Sequence, residues 1–304
     1  MEPLNAMTVD VEDYFQVSAF ERYVDRGQWD RWECRVVANT HRVLRLLERR
    51  GVRATFFVLG WIADRYPALV RDIHADGHEI GSHGYWHRLI YEQSPQEFRD
   101  DLRQSRDVLQ DIVGARVTAY RAPSFSVTRR SLWALEILAE EGFLTDSSVF
   151  PIYHDRYGMP DADPAPHAIA TSRGPLWEFP AAVVPFARWN LPVGGGGYFR
   201  LYPLRWTLFC LRRINRTYRR PFVFYVHPWE LDPEQPRLRV GSRLARFRHY
   251  VNLARSEAKL DVLCREFRFG RLCEAVEQVA AGPAHGAPES ARPDAVLEGS
   301  PSAR

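Results

Sequence analysis

The chain predicts an α/β fold built on a parallel sheet, and three observations carry that expectation. Strand-like apolar runs alternate with amphipathic helical patterns over the first two-thirds of the 304 residues. The runs 54–59 and 222–226 are almost wholly apolar, as strands covered on both faces are. Acids, histidines and an arginine recur directly after these strands, where parallel α/β folds place their chemistry. The alternation by itself fits a barrel or a doubly wound sheet.

Each element has a local cause. Residues 8–11 form a short β-prone run that opens onto acids. Within 40–50, Val43, Leu44, Leu46 and Leu47 share one helical face, and Gly51 supplies the stop. The second strand is 54–59, followed by a helix at 67–75 closed by Gly77 and a short strand at 78–82. Ser94-Pro95-Gln96-Glu97 starts the next helix. Ser94 caps free N–H groups while Glu97 reaches back to the cap, and Pro95 suits the first helical position, where its missing N–H costs nothing. That helix should end near Ile112, ahead of Gly114. A strand at 117–120, a helix at 130–141 and strands at 143–145, 177–179 and 222–226 complete the series. The stretch 150–200 is richer in proline, glycine and aromatics, and Gly194 to Gly197 read as a loop. Residues 282–304, rich in Ala, Pro, Gly and Ser, predict a disordered tail.

The composition narrows the function classes. With 45% hydrophobic residues the chain can bury one large core or two smaller ones. A net charge of +3 is too mild to argue for nucleic acid. Cys34, Cys210, Cys264 and Cys273 are scattered with no CxxC pair, which argues for reduced thiols and against a disulfide framework or a cysteine zinc site. The first residues lack a basic segment followed by an apolar one, and no apolar run approaches the roughly 20 residues of a membrane span. The expectation is a soluble cytoplasmic protein. Arg205, Arg212, Arg213, Arg216, Arg219 and Arg220 surround Leu204, Trp206, Leu208, Phe209 and Leu211. Such a basic amphipathic stretch can lie on an anionic membrane surface; it equally describes a solvated helix face over an ordinary core stripe.

Five polar groups follow strands. Asp10, Glu12 and Asp13 end the first; on their own they could be an acidic loop or a helix cap. His83 and His87, four apart after the strand at 78–82, would share a helical face and chelate one metal. Two imidazoles and one carboxylate leave open positions for water, the arrangement of catalytic zinc. Arg121, in Arg121-Ala122-Pro123-Ser124-Phe125, could orient a catalytic carboxylate. Asp146 follows the strand at 143–145, and His227 follows 222–226 ahead of Pro228-Trp229-Glu230.

In order and spacing these motifs resemble the NodB-like polysaccharide deacetylases of the carbohydrate esterase superfamily. Thr8-Val9-Asp10-Val11-Glu12-Asp13 is similar to their first motif, His83 to His87 to the second, and Arg121-Ala122-Pro123 to the Arg-x-Pro motif. Asp146 to Phe150 stands for Asp-x-x-x-Trp, with Phe150 in place of Trp. Tyr225-Val226-His227 stands for Leu-x-His, with Tyr225 in place of Leu. The resemblance covers about 6–230. Val9 to Val17 and His227 to Arg237 further resemble the subgroup encoded with exosortase and exopolysaccharide-synthesis systems, which carries a C-terminal addition.

The resemblance implies an irregular (β/α)7-type barrel. Its catalytic domain would be 1–230, with an extension at 231–281 packed on it. It implies hydrolysis of acetyl groups, N-acetyl above O-acetyl, from a glycan by way of a divalent metal, zinc first and cobalt as a substitute. Asp10 would be the general base and His227 the general acid. Arg121 would hold Asp10, and Asp146 would orient His227. His83, His87 and a carboxylate would bind the metal; Glu12 shares a strand face with Asp10, while Asp13 would serve if the chain turned sharply. A backbone N–H near Ser124 would stabilise the oxyanion. Phe125 and Tyr225 would shape the acetyl pocket, with Tyr14, Phe15, Tyr85, Trp86 and Trp229 as neighbours able to stack on sugars. Two rivals remain: another amide hydrolase of allantoinase type, against which the intact histidines argue, and a non-catalytic glycan-binding protein, against which Asp10, Arg121, Asp146 and His227 argue.

Overall fold

The structure, a computed structural model, describes residues 2–154, 156–187 and 189–282. Its strands are β1 (Asn5–Val11), β2 (Thr55–Val58), β3 (Glu79–Ser82), β4 (Ala119–Tyr120), β5 (Thr145–Asp146), β6 (His167–Thr171), β7 (Gly174–Glu178), β8 (Val183–Phe186), β9 (Trp189–Pro192), β10 (Val223–Val226) and β11 (Phe269–Gly270). The main sheet runs β10-β1-β2-β3-β4-β5-β7, parallel throughout, and β6 adds an antiparallel edge. Just past β7, Ala181 bridges to Val223 of β10, so the end of the parallel run returns to its start. That return selects the barrel over the open doubly wound sheet. The hairpin β8–β9 stands apart, and β11 pairs with the start of β1.

Burial explains the parallel order. All seven residues of β1 and all four of β2 and β10 are buried, so helices must cover the outer face. The helix Pro95–Val113 forms with the expected capping box at Ser94 and Glu97 and ends at Gly114. The helix expected at 40–50 starts earlier, at Val36. Its cap comes from a distant residue: Asp13 Oδ2 accepts from the backbone N–H groups of Arg35 (2.6 Å) and Val36 (2.9 Å).

The glycine run is more than a loop. Gly194 and Gly195 lie flat on β10, where Tyr225 N–H donates to the Gly194 carbonyl over 2.7 Å, and Gly196 opens the helix Gly196–Leu201. Gly195 has φ of 138°, and a Cβ there would fall 1.9 Å from the Tyr225 carbonyl oxygen. Only glycine permits that approach.

The basic stretch forms the helix Leu204–Arg216, which buries Leu208, Cys210, Leu211 and Ile214 and leaves Trp206 and Phe209 exposed. No helix among the described residues is long and apolar enough to cross a membrane. All four cysteines are free. Of the expected tail, 283–304 lies outside the described residues.

Candidate active site

The C-terminal ends of β1, β3, β4 and β10 converge on one cleft of about 620 Å³, lined by Asp10, Glu12, His83, His87, Ser124, Phe125, Tyr225 and His227. Asp146, at the end of β5, is buried behind it. Parallel strands all point their C-termini the same way, so residues up to 217 positions apart are gathered without long loops.

Glu12, His83 and His87 form the candidate metal centre: one ligand atom from each lies within 4.8 Å of the others, and all three are buried. The histidines do not share a helical face as expected. The segment after β3 is a tight turn, with Gly84 at φ 73° and His87 at φ 53°. Asp101, from the helix Pro95–Val113, accepts from the N–H groups of Tyr85 (2.8 Å) and Trp86 (3.1 Å) and fixes that turn. A Cβ on Gly84 would meet Asp101 Oδ2 at 2.8 Å. The turn brings the two imidazole centroids to 5.3 Å.

The donor set fits a divalent ion. His83 Nδ1 lies 2.8 Å from the Arg121 carbonyl, which requires the Nδ1–H tautomer and leaves Nε2 as a lone pair for metal. Burial holds His83 neutral, with its pKa down at about 4. Burial would raise the Glu12 pKa, but the charges of His87 and His227 outweigh it and keep the carboxyl ionised. Glu12 Oε1 accepts from the Trp229 indole N–H (3.1 Å). Its Oε2 is buried without a hydrogen bond, though 2.7 Å from His87 Nε2. Asp13 stands outside this cluster. Both its oxygens are committed to backbone N–H groups, Oδ1 to Tyr14 and Oδ2 to the helix start at Arg35 and Val36.

Arg121, fully buried, holds Asp10. Its Nη1 donates to Asp10 Oδ1 and Thr8 Oγ1, both at 2.7 Å. Its Nη2 donates to Ser147 Oγ (2.8 Å) and its Nε to the Ser147 carbonyl (3.1 Å). Asp10 Oδ2 therefore faces the cleft, 3.9 Å from His227 Nε2. On the other side of that ring, His227 Nδ1 lies 3.1 Å from Glu230 Oε2. Glu230 also accepts from the His227 backbone N–H (3.0 Å) and, on Oε1, from Arg200 Nε (2.7 Å). Burial would lower the His227 pKa, but the negative charges of Glu230 and Glu12 overcome it and raise it to about 9.

Here the expected Asp–His pair is corrected. Among the described residues Asp146 makes no ion pair with His227, and Glu230 occupies that place. Ser148 Oγ bonds to Asp146 Oδ1 and receives the Ala122 N–H over 2.8 Å, so Asp146 braces the turn that follows Arg121. Its other neighbour is Glu178, a second fully buried carboxyl. Burial and the adjoining Asp146 charge push the Glu178 pKa well up, so the pair shares a proton. A carboxyl whose folded pKa lies above its unfolded value contributes full stability below the unfolded pKa of about 4.5 and loses it as pH rises. Each unit of that shift is worth about 1.4 kcal/mol. Glu178→Gln should therefore flatten the fall in melting temperature as pH rises above about 4.5. Thermal scans of both proteins would show this, and parallel curves would sink the shared-proton account.

Phe125 and Tyr225 form one wall, their ring centroids 4.9 Å apart, and the fully buried Phe150 backs it, 5.0 Å from Phe125. The two departures from the resembled motifs thus pack on the same partner. Ser124, at φ 53°, bonds through Oγ to Ser18 Oγ at 2.6 Å. Tyr14 and Phe15 belong to the core, and Tyr85 is buried. The mouth instead carries Tyr23, Tyr157 and Tyr198. Sequence reading missed Glu230, Arg200, Glu178 and Ser147. For Glu230 a signal existed: it stands three residues after His227 across a proline, the spacing of a capping box.

Comparison with known proteins agrees with this geometry. A family model described as polysaccharide deacetylase matches residues 24–140, and one described as a domain of unknown function (DUF3473) matches 147–277. A Bacillus cereus peptidoglycan-N-acetylglucosamine deacetylase is 32% identical over 98 residues, 32% of this chain and 36% of that protein. A Helicobacter pylori peptidoglycan deacetylase is 29% identical over 121 residues, 38% of this chain and 40% of that protein. The chain thus spans well under half the length of these curated relatives. A Mycobacterium smegmatis structure assigned to the polysaccharide deacetylases superposes with a TM-score of 0.60 at 20% identity, over 92% of this chain and 91% of that one. The PuuE allantoinase structure gives 0.59 at 14% identity, over 91% and 90%. The sequence matches support the polysaccharide deacetylase family, and the structural likenesses show the α/β fold.

Proposed function

We propose that this relative of the polysaccharide deacetylases hydrolyses acetyl groups, N-acetyl foremost, from a glycan, with a divalent ion held by Glu12, His83 and His87. The observation that carries this reading is the single buried cluster in which that ligand set, the Arg121–Asp10 pair and the Glu230–His227 pair meet in one open cleft. When bound, the metal would polarise the acetyl carbonyl and acidify a water.

The protein groups divide the remaining work. Asp10 takes the proton of the attacking water at Oδ2, because Oδ1 is occupied by Arg121. Arg121 keeps that carboxylate aimed. His227 donates from Nε2 to the leaving nitrogen; Glu230 fixes the ring through Nδ1 and keeps it protonated at neutral pH. The turn at Ser124 supplies the backbone N–H for the developing oxyanion, and the wall of Phe125 and Tyr225 receives the acetyl methyl. The substrate's place in exopolysaccharide synthesis rests on the resemblance of Val9 to Val17 and His227 to Arg237 to the exosortase-associated subgroup.

Acetate release from N-acetylglucosamine oligomers, with metal-depleted and zinc-restored protein, is the test. Release should require the metal and fall about 10²- to 10⁴-fold in Asp10→Asn, while zinc binding is retained. Release that is indifferent to metal would reject the reading.

A further inference from the structure

The floor of the cleft is acidic, but its rim is not. Among the described lining residues the carboxylates are Asp10, Glu12 and Glu230. Each is buried and already engaged, Asp10 by Arg121, Glu12 by Trp229 beside His87, and Glu230 by Arg200 and His227. Around the mouth stand Arg22, Arg156 and Arg248. They come from three separate segments: the loop after β1, the loop after β5 and the helix Arg243–Tyr250. All three are exposed, and among the described residues none makes an ion pair. Tyr23, exposed, and Tyr198 lie among them and can pack on sugar rings, while Tyr157 is stacked between Phe150 and His154.

We infer that the cleft selects an anionic glycan: a polymer whose acetylated sugar is flanked by units bearing a carboxylate or a phosphate. This rests on the deacetylase reading of the same cleft. The planar guanidinium fork matches both anions in a bidentate manner. A mouth lined with one sign of charge also raises the local concentration of an oppositely charged polymer, an effect that salt removes. The buried carboxylates do not oppose such a ligand, because their charges are neutralised within the floor. An anionic unit seated at the rim leaves the neutral acetylated sugar over Asp10 and His227.

Binding can be measured apart from turnover by using zinc-loaded Asp10→Asn protein. The probes are the N-acetylglucosamine tetramer, a tetrasaccharide alternating N-acetylglucosamine with glucuronate, and an N-acetylglucosamine tetramer carrying phosphate. At least one anionic probe should bind tenfold or more tighter than the neutral tetramer, with the preference shrinking as salt rises. The arm that gains more identifies carboxylate or phosphate as the recognised group. Arg22→Ala, Arg156→Ala and Arg248→Ala combined should erase the preference and leave affinity for the neutral tetramer unchanged, which also reports an intact fold. Arg248→Glu alone should weaken the anionic probe and spare the neutral one. Equal binding of all three probes, or a preference that survives the triple substitution, overturns the inference. Selective anion binding without acetate release from wild-type protein on any probe would instead reject the deacetylase reading.

Discussion

Replacing His83 by alanine will abolish stoichiometric zinc binding and bring acetate release to background. His83 supplies one of three buried donors, and its Nδ1 is tied to the Arg121 carbonyl at 2.8 Å, which fixes the ring with Nε2 toward Glu12 and His87. Loss of a partner that merely orients a metal ligand typically costs 10- to 100-fold in affinity, and loss of the ligand itself should cost about 100-fold or more. His87→Ala should behave alike. Asp13→Asn should not: Asp13 caps the helix Val36–Arg50, so the change should lower the melting temperature with zinc affinity kept. Calorimetric zinc titrations on the three variants decide this. Wild-type affinity in His83→Ala, or loss of zinc in Asp13→Asn with an intact fold, would overturn the assigned ligand set.

The second large effect concerns the acid. Glu230→Gln removes the main charge that raises the His227 pKa, at present to about 9. A general acid works only while protonated, so a raised pKa keeps it active up to weakly basic pH. Without the Glu230 charge the basic limb of the kcat profile should move toward neutrality, and a move of about two units would lower kcat at pH 8 roughly 10-fold. KM should change less than kcat, since Glu230 is buried on the far side of the His227 ring from Asp10. Asp146→Asn should leave the basic limb in place and lower stability, because it disturbs the Ser148 brace of the Arg121 turn. The reverse pattern would restore Asp146 to the role that motif resemblance assigned to it.

These predictions mark where sequence reading succeeds. Ser94, Pro95 and Glu97 act within one turn of each other, so their capping box needs no tertiary information. Strand order is harder, because the two-residue strands β4 and β5 are too short to carry a period. The helix Val36–Arg50 begins four residues ahead of its apolar pattern because its cap lies 22 residues away in Asp13. The same contact draws Asp13 away from the histidines and leaves Glu12 beside them, which nothing local to the motif could have shown.

What the sequence by itself determined was the chemical inventory: Asp10, Glu12, His83, His87, Arg121, Asp146 and His227, each following an apolar run. Residue type and distance from a strand end are local properties, and parallel strands turn them into a common site. The tertiary structure alone decided how those groups are paired. Asp146 meets Glu178, Glu230 takes the imidazole, and His83 and His87 approach through a left-handed turn held by Asp101. Partnership depends on ångström distances between side chains far apart in the chain. A buried carboxylate goes to whichever donor reaches it, and only the packed fold fixes which one does.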